Sequence, residues 1–148
     1  MKKLTALVLA LCMALGLAAC GGSKDTGSAA GSTAAASGDT IKIGVYEPQS
    51  GDNGAGGKQE ILGIQYANSV APTVEIGGKT YNVKLEIVDN ESSNDKAVSA
   101  ASQLVSQGVS VVLGSYGSGV SIAASDTFKN AGVPAIGITC TNPAVTAG

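Results

Sequence analysis

The chain has 148 residues, enough for one domain, and 44% of them are hydrophobic. With no Trp and a single Phe, a core has to be assembled from Val, Ile, Leu and Ala. The absence of His removes His-based acid–base catalysis and His-ligated metal sites, and a net charge of −2 without a basic patch argues against nucleic acid as a partner.

Residues 1–20 read as a targeting segment to be kept outside the fold. Lys2 and Lys3 form its positive region, and Leu4 to Leu17 is apolar. The tetrapeptide Leu17-Ala18-Ala19-Cys20 is similar to the lipobox of bacterial lipoproteins, which implies a diacylglyceryl thioether on Cys20 and cleavage just before it. A transmembrane helix is the competing reading, but the apolar run is shorter than the ~20 residues a span needs. The lipobox reading puts the protein at the outer face of the bacterial cell membrane, held by its acyl chains. Residues 21–40 are rich in Gly, Ser, Ala and Thr and read as a flexible tether. With Cys12 in the leader and Cys20 lipidated, Cys140 stands alone, so no intradomain disulfide is expected. It is either a small residue packed in a loop or a nucleophile that lacks a His to activate it.

The ordered part begins at Ile41. Ile41-Lys42-Ile43-Gly44-Val45-Tyr46 alternates and predicts a first strand. Pro48 to Gly57 is a loop loaded with Gly, Asp and Asn. The spacing of Ile61, Leu62, Ile64, Tyr66 or Gln65, and Ala67 predicts a helix over 58–70 that Pro72 ends. Val74-Glu75-Ile76, Gly77-Gly78 and Tyr81 to Val88 read as a hairpin or strand pair, with Tyr81, Val83, Leu85 and Ile87 sharing a face. Asn94 or Asp95 caps a helix to about Gln107, and Gly108 stops it. Val111 to Leu113 is a short buried strand. A helix from about Gly119 to Asn130 follows, presenting Val120, Ala123, Ala124, Thr127 and Phe128, and Val133 to Ile138 is a last strand. Strands alternating with helices imply an α/β fold with a mostly parallel sheet covered on both faces. The chain stops just after a strand, and we expect residues 41–148 to be a truncated amino-terminal lobe.

Two loops carry the functional reading. Gly114 to Gly119 passes from a strand into a helix, which leaves unpaired backbone N–H groups and the positive end of the helix dipole at one spot. That is an anion site, with the Ser118 hydroxyl added to it. Thr139-Cys140-Thr141 follows the next strand and is expected beside it, at the carboxyl edge where open α/β sheets bind ligands. A nucleotide site fits poorly, because no Lys follows the glycines and neither phosphate-loop spacing is met. Asp89 imitates a ribose-binding acid only as far as any strand-end Asp does. A hydrolase fits poorly as well, because Ser118 and Ser121 have no G-x-S-x-G frame and no His.

Residues 41–148 resemble the solute-binding proteins of branched-chain amino acid ABC transporters, the Leu/Ile/Val-binding proteins of the type I periplasmic-binding-protein fold. The resemblance rests on Ile-Lys-Ile-Gly-Val at Ile41, on Ser50-Gly51-Asp52-Asn53-Gly54 with the helix after it, and on Val88-Asp89-Asn90. Gly114 to Asp126, Gly132 to Ile136, and Thr139-Cys140-Thr141-Asn142-Pro143 complete the set. It implies two lobes that close on a free amino acid, no enzymatic activity, no cofactor and an ABC transporter permease as partner. It also implies ligand-binding residues: Ser118 for the α-carboxylate, Thr141 for the carboxylate and ammonium, and the Thr139 carbonyl for the ammonium. Gly119, at the start of the helix, joins them as a ligand-binding residue.

Simpler roles stand beside these, with Ser118 only a helix N-cap and Thr141 bonding only within its own loop. Two departures from the family pattern are visible. Ser92 and Gly117 occupy the places of a disulfide found in some members, and Gly56 matches an aromatic that others carry. Tyr116 and Tyr46 are the candidates to supply aromatic surface instead, or they belong to the core and rim. The expected function is therefore capture of an amino acid, branched-chain by the resemblance, for an ABC transporter. A receptor or sensor domain for another amino acid, an amide or a small carboxylate is the alternative.

Overall fold

The computed structural model describes residues 40–147. Their elements run β1 (Thr40–Glu47), α1 (Gly54–Val70), β2 (Thr73–Ile76), β3 (Lys79–Asp89), α2 (Asn94–Ser106), β4 (Val111–Leu113), α3 (Ser118–Asn130) and β5 (Ala135–Ile136), then a 3-10 turn at Pro143–Thr146. The sheet order is β2-β3-β1-β4-β5. β1 pairs in parallel with β3 and β4, and β4 in parallel with β5, while β2 joins β3 as an antiparallel hairpin. This is the mostly parallel α/β sheet that the alternating pattern predicts.

Side-chain alternation along β1 sorts the two faces. Gly44 and Tyr46 face α2 and α3, where Tyr46, Val88, Val112, Leu104, Val120 and Phe128 form the core with three alanines of α2. Those alanines, Ala97, Ala100 and Ala101, are small enough to let α2 approach α3 and the sheet closely. Gly44 serves the same purpose, because a Cβ there would stand 3.0 Å from Val112 Cγ2. The Tyr46 and Phe128 rings meet edge to face at 5.5 Å. The Tyr46 hydroxyl shares its proton between the carbonyls of Ala97 and Val120, at 3.2 and 3.4 Å, so this buried polar atom is satisfied.

The other face of the sheet meets α1 through Ile61 and Ile64. α1 leaves this face partly open, and Val83, Leu85 and Ile87 are only half-buried.

Three boundaries differ from the sequence reading. α1 begins at Gly54 instead of Lys58, because the run Gly54-Ala55-Gly56-Gly57 is needed where the helix starts. A Cβ at Gly57 would collide with the Pro48 carbonyl, and one at Gly56 with the Tyr116 ring. Close packing therefore overrides the poor helix propensity of glycine. α2 has Ser93 at its N-cap position, one residue before Asn94, and no side chain caps it. β5 is shortened to Ala135–Ile136 and is exposed. No helix among the described residues is long and apolar enough to cross a membrane.

Candidate ligand site at the carboxyl edge of the sheet

The loops after β1, β3, β4 and β5 gather at one edge and are tied to one another by side chains. Asp89 at the end of β3 accepts from the Gln49 N–H at 2.7 Å, the Ser50 hydroxyl at 2.7 Å and the Glu91 N–H at 2.8 Å. Desolvation works against its charge, but these donors outweigh it and hold the carboxyl below the usual range. Asp89 is a loop anchor, the ordinary role open to a strand-end Asp.

Asn90 is fully buried and joins three segments. Its Nδ2 donates to the Tyr46 carbonyl at 3.2 Å and to the Ser115 hydroxyl at 2.9 Å, and its Oδ1 accepts from the Ser92 N–H at 3.1 Å.

The loop from Gly114 to Gly117 is held on every side. Gly114 has φ +113°, and a Cβ there would collide with the Glu47 carboxylate and the Tyr46 carbonyl. Only glycine fits that position. Its N–H donates to the Ile136 carbonyl at 3.0 Å. The Ser115 N–H goes to Ser121 Oγ at 3.3 Å, and the Tyr116 N–H to Glu47 Oε2 at 2.7 Å. The Gly117 N–H reaches Ser115 Oγ at 3.4 Å.

The amides of this loop are thus spent inside the protein. The N–H groups left without a partner are those of the first turn of α3, at Ser118, Gly119 and the buried Val120, and of these Gly119 is exposed. Helix geometry denies them an intrahelical acceptor, and no side chain caps them.

Ser118 sits at the first position of α3, with Gly117 at the cap, so it is not a helix N-cap. Its Oγ instead accepts the N–H of Thr141 at 3.1 Å and of Asn142 at 3.2 Å. A hydroxyl has two lone pairs and one proton. Both lone pairs are taken here, so what remains is a donor, polarised by the two bonds it accepts.

The second loop does lie beside the first. Thr139 Oγ1 donates to the Tyr116 carbonyl at 3.4 Å, and Cys140 Sγ donates to the Ser115 carbonyl at 3.1 Å. Cys140 also lies 3.1 Å from Ser121 Oγ, so its thiol serves as packing between the loops. Neither the Thr139 carbonyl nor the Thr141 hydroxyl has a hydrogen bond to the described residues, and both residues are exposed. Gly119 is exposed too, and a Cβ on it would stand 3.3 Å from Asn94 Oδ1 at the start of α2.

The arrangement offers donors, the α3 amides and the Ser118 O–H, beside acceptors, the Thr139 carbonyl and the Thr141 oxygen. That pairing suits a small molecule bearing an anion next to a cation. Tyr116, 40% exposed, lays its ring over Gly56, while Tyr46 is buried in the core. Among the described residues there is no cluster of side chains suited to a metal ion. Cys20 lies outside the described residues.

Sequence reasoning brought Ser118, Gly119, Thr139 and Thr141 to one place but missed Asn90, Ser115, Glu47 and Glu60. A buried carboxylate leaves no mark in the sequence. Asn90 had one, its place directly after the strand-end Asp89.

The carboxyl edge, where these loops gather, is where open α/β sheets bind ligands. The chain belongs to the periplasmic binding protein family, whose profile matches residues 40–148. It is 35% identical over 107 residues to the Leu/Ile/Val-binding protein homolog 2 of Brucella abortus, covering 72% of this chain and 28% of that protein. Two of the solved structures that share the fold illustrate the likeness. One is a leucine-binding protein of Thermotoga maritima, with TM-score 0.67 and 32% identity over 74% of this chain and 30% of the other. The other is the branched-chain amino acid transporter substrate-binding protein of Streptococcus pneumoniae in complex with isoleucine. It matches with TM-score 0.64 and 35% identity, over 74% of this chain and 32% of its own. The chain therefore spans less than a third of the length of the relatives it matches.

Proposed function

We propose that this chain is part of an extracytoplasmic solute-binding protein that captures a branched-chain amino acid and delivers it to an ABC transporter permease. The observation that carries this reading is Ser118. Its two accepted N–H bonds leave its own proton to give to an anion at the start of α3. The ligand α-carboxylate accepts hydrogen bonds from that hydroxyl and from the N–H groups of Ser118 and Gly119. The ammonium is met by the Thr139 carbonyl and the Thr141 hydroxyl, and the Tyr116 ring offers apolar surface to the side chain. The relatives named for leucine or solved with isoleucine support the choice of ligand. Cys20 carries the lipid anchor in this reading, with residues 21–40 as the tether.

Titration calorimetry on the full-length protein with leucine, isoleucine and valine tests the assignment. Ser118→Ala removes a charge-assisted hydrogen bond, about 1.5–3 kcal/mol, and so weakens binding roughly tenfold to hundredfold. Unchanged affinity would take Ser118 out of the site. Binding of small carboxylates that lack an ammonium, with no binding of the three amino acids, would favour the alternative ligands. For the anchor, Cys20→Ala is expected to accumulate unprocessed precursor without fatty-acid label. Normal labelling of that variant would refute it.

A further inference from the structure

The carboxyl groups of Glu47 and Glu60 meet beneath the loop that carries Tyr116. Glu47 ends β1 on the sheet face covered by α1, and Glu60 lies on that helix within hydrogen-bonding reach of it. Glu47 is 0% exposed. Its Oε2 accepts the Tyr116 N–H at 2.7 Å. Its Oε1 and both oxygens of Glu60 are buried and have no donor among the described residues. Three buried oxygens of this kind are incompatible with two ionised carboxylates, since each would be desolvated beside a like charge. A single proton between the two groups supplies the missing donor and removes one charge.

We propose that Glu47 and Glu60 share one proton in the folded protein and that this proton positions the Tyr116 loop, so that ligand capture is linked to proton binding. The link to capture rests on the reading of that loop as part of the amino acid site. Among the described residues, no cation acts on Glu47; the groups that act on it are Glu60 and the Tyr116 N–H. From α1 the facing charge is Glu60, and from the β4–α3 loop only the Tyr116 N–H reaches Glu47. From β3, Asp89 is engaged by Gln49, Ser50 and Glu91, and Asn90 by Tyr46 and Ser115. The described lysine ion pairs, Lys42 and Lys84 with Glu86, lie on the opposite face of the sheet. Burial first, then the hydrogen bond and charge of Glu60, push Glu47 up to about 8, against the opposing pull of the Tyr116 N–H.

Losing the proton sets two charges against each other across the α1–β1 contact. α1 also carries Gly56, the surface on which the Tyr116 ring rests. Ionised Glu47 still accepts the Tyr116 N–H, so it is the ring, resting on α1 at Gly56, that loses its support when the two charges push α1 and β1 apart.

The test follows the full-length protein from about pH 6 to about pH 9, with two readouts. The Tyr116 amide resonance is expected to titrate in the wild type with a midpoint of about 8. Affinity for leucine, isoleucine and valine should fall about tenfold per pH unit above that midpoint. Glu47→Gln keeps an acceptor for the Tyr116 N–H and brings a donor for Glu60. It should bind with a flat profile and show no titration at Tyr116. Glu60→Gln, at the half-buried partner, serves as the second variant if Glu47→Gln does not fold. A Tyr116 resonance that stays still in the wild type, or that titrates equally in the variants, overturns the shared proton. Titration at Tyr116 with pH-independent affinity overturns the link to capture. If none of the three amino acids binds at any pH, the amino acid reading fails, and the Tyr116 titration still decides the proton.

Discussion

At the residue scale, the site depends on side chains whose work is to hold other groups in place. Asn90 is the clearest case, since its one amide joins the end of β1, the β4–α3 loop and its own turn. Asn90→Ala would leave the Tyr46 carbonyl and the Ser115 hydroxyl without that donor. Leaving a buried acceptor unpaired costs about 1–3 kcal/mol, and we expect a loss of that size in chemical denaturation. A stability equal to wild type would mean that water or another side chain takes over the bonds. Ser118 shows the other side of the same physics. The sequence marked it as a hydroxyl at a helix start. Its acceptance of two N–H groups from a loop more than twenty residues away became visible only with both loops in place.

At the scale of elements, the strands and helices appear where apolar spacing puts them, and the errors fall at their ends. The four residues that open α1, three of them glycine, look like a loop by propensity. Two of those glycines are there for room, one beneath the Pro48 carbonyl and one beneath the Tyr116 ring. Val133 to Ile138 is apolar throughout and predicts a longer strand, whereas only Ala135 and Ile136 pair with β4. Gly114→Ala tests how tightly an element end is specified. It forces a side chain into φ +113° against Glu47 and Tyr46. We expect a destabilisation of roughly 1–3 kcal/mol, together with weakened ligand binding because the loop must shift. A thermal midpoint and affinity equal to wild type would show that the loop tolerates the displacement.

At the scale of the whole molecule, two carboxylates set opposite pH dependences. Glu47 holds a proton in the fold up to about 8, whereas the unfolded chain releases it near 4.5. Its stabilising contribution is full below the lower value and declines as pH rises to the upper one. Asp89, held below its ordinary 3.8, contributes above that value and is lost as acid protonates it. The thermal midpoint should therefore peak in mild acid and fall toward about pH 8, and Glu47→Gln should flatten the alkaline side only. An unchanged alkaline slope in that variant would assign the effect elsewhere.

The sequence by itself determined the alternation of strands and helices, the Gly/Ser loop that opens α3, and the neighbouring Thr139-Cys140-Thr141 loop. These follow from local spacing and turn chemistry, which each segment carries alone. Only the tertiary structure decided that Tyr46 is core while Tyr116 is surface, that the Ser118 lone pairs are occupied, and that Glu47 meets Glu60. Those facts depend on which groups meet across β1, α1 and the loops, and on how much water the meeting excludes. Desolvation and donor supply belong to the assembled site, so no single stretch of the chain could record them.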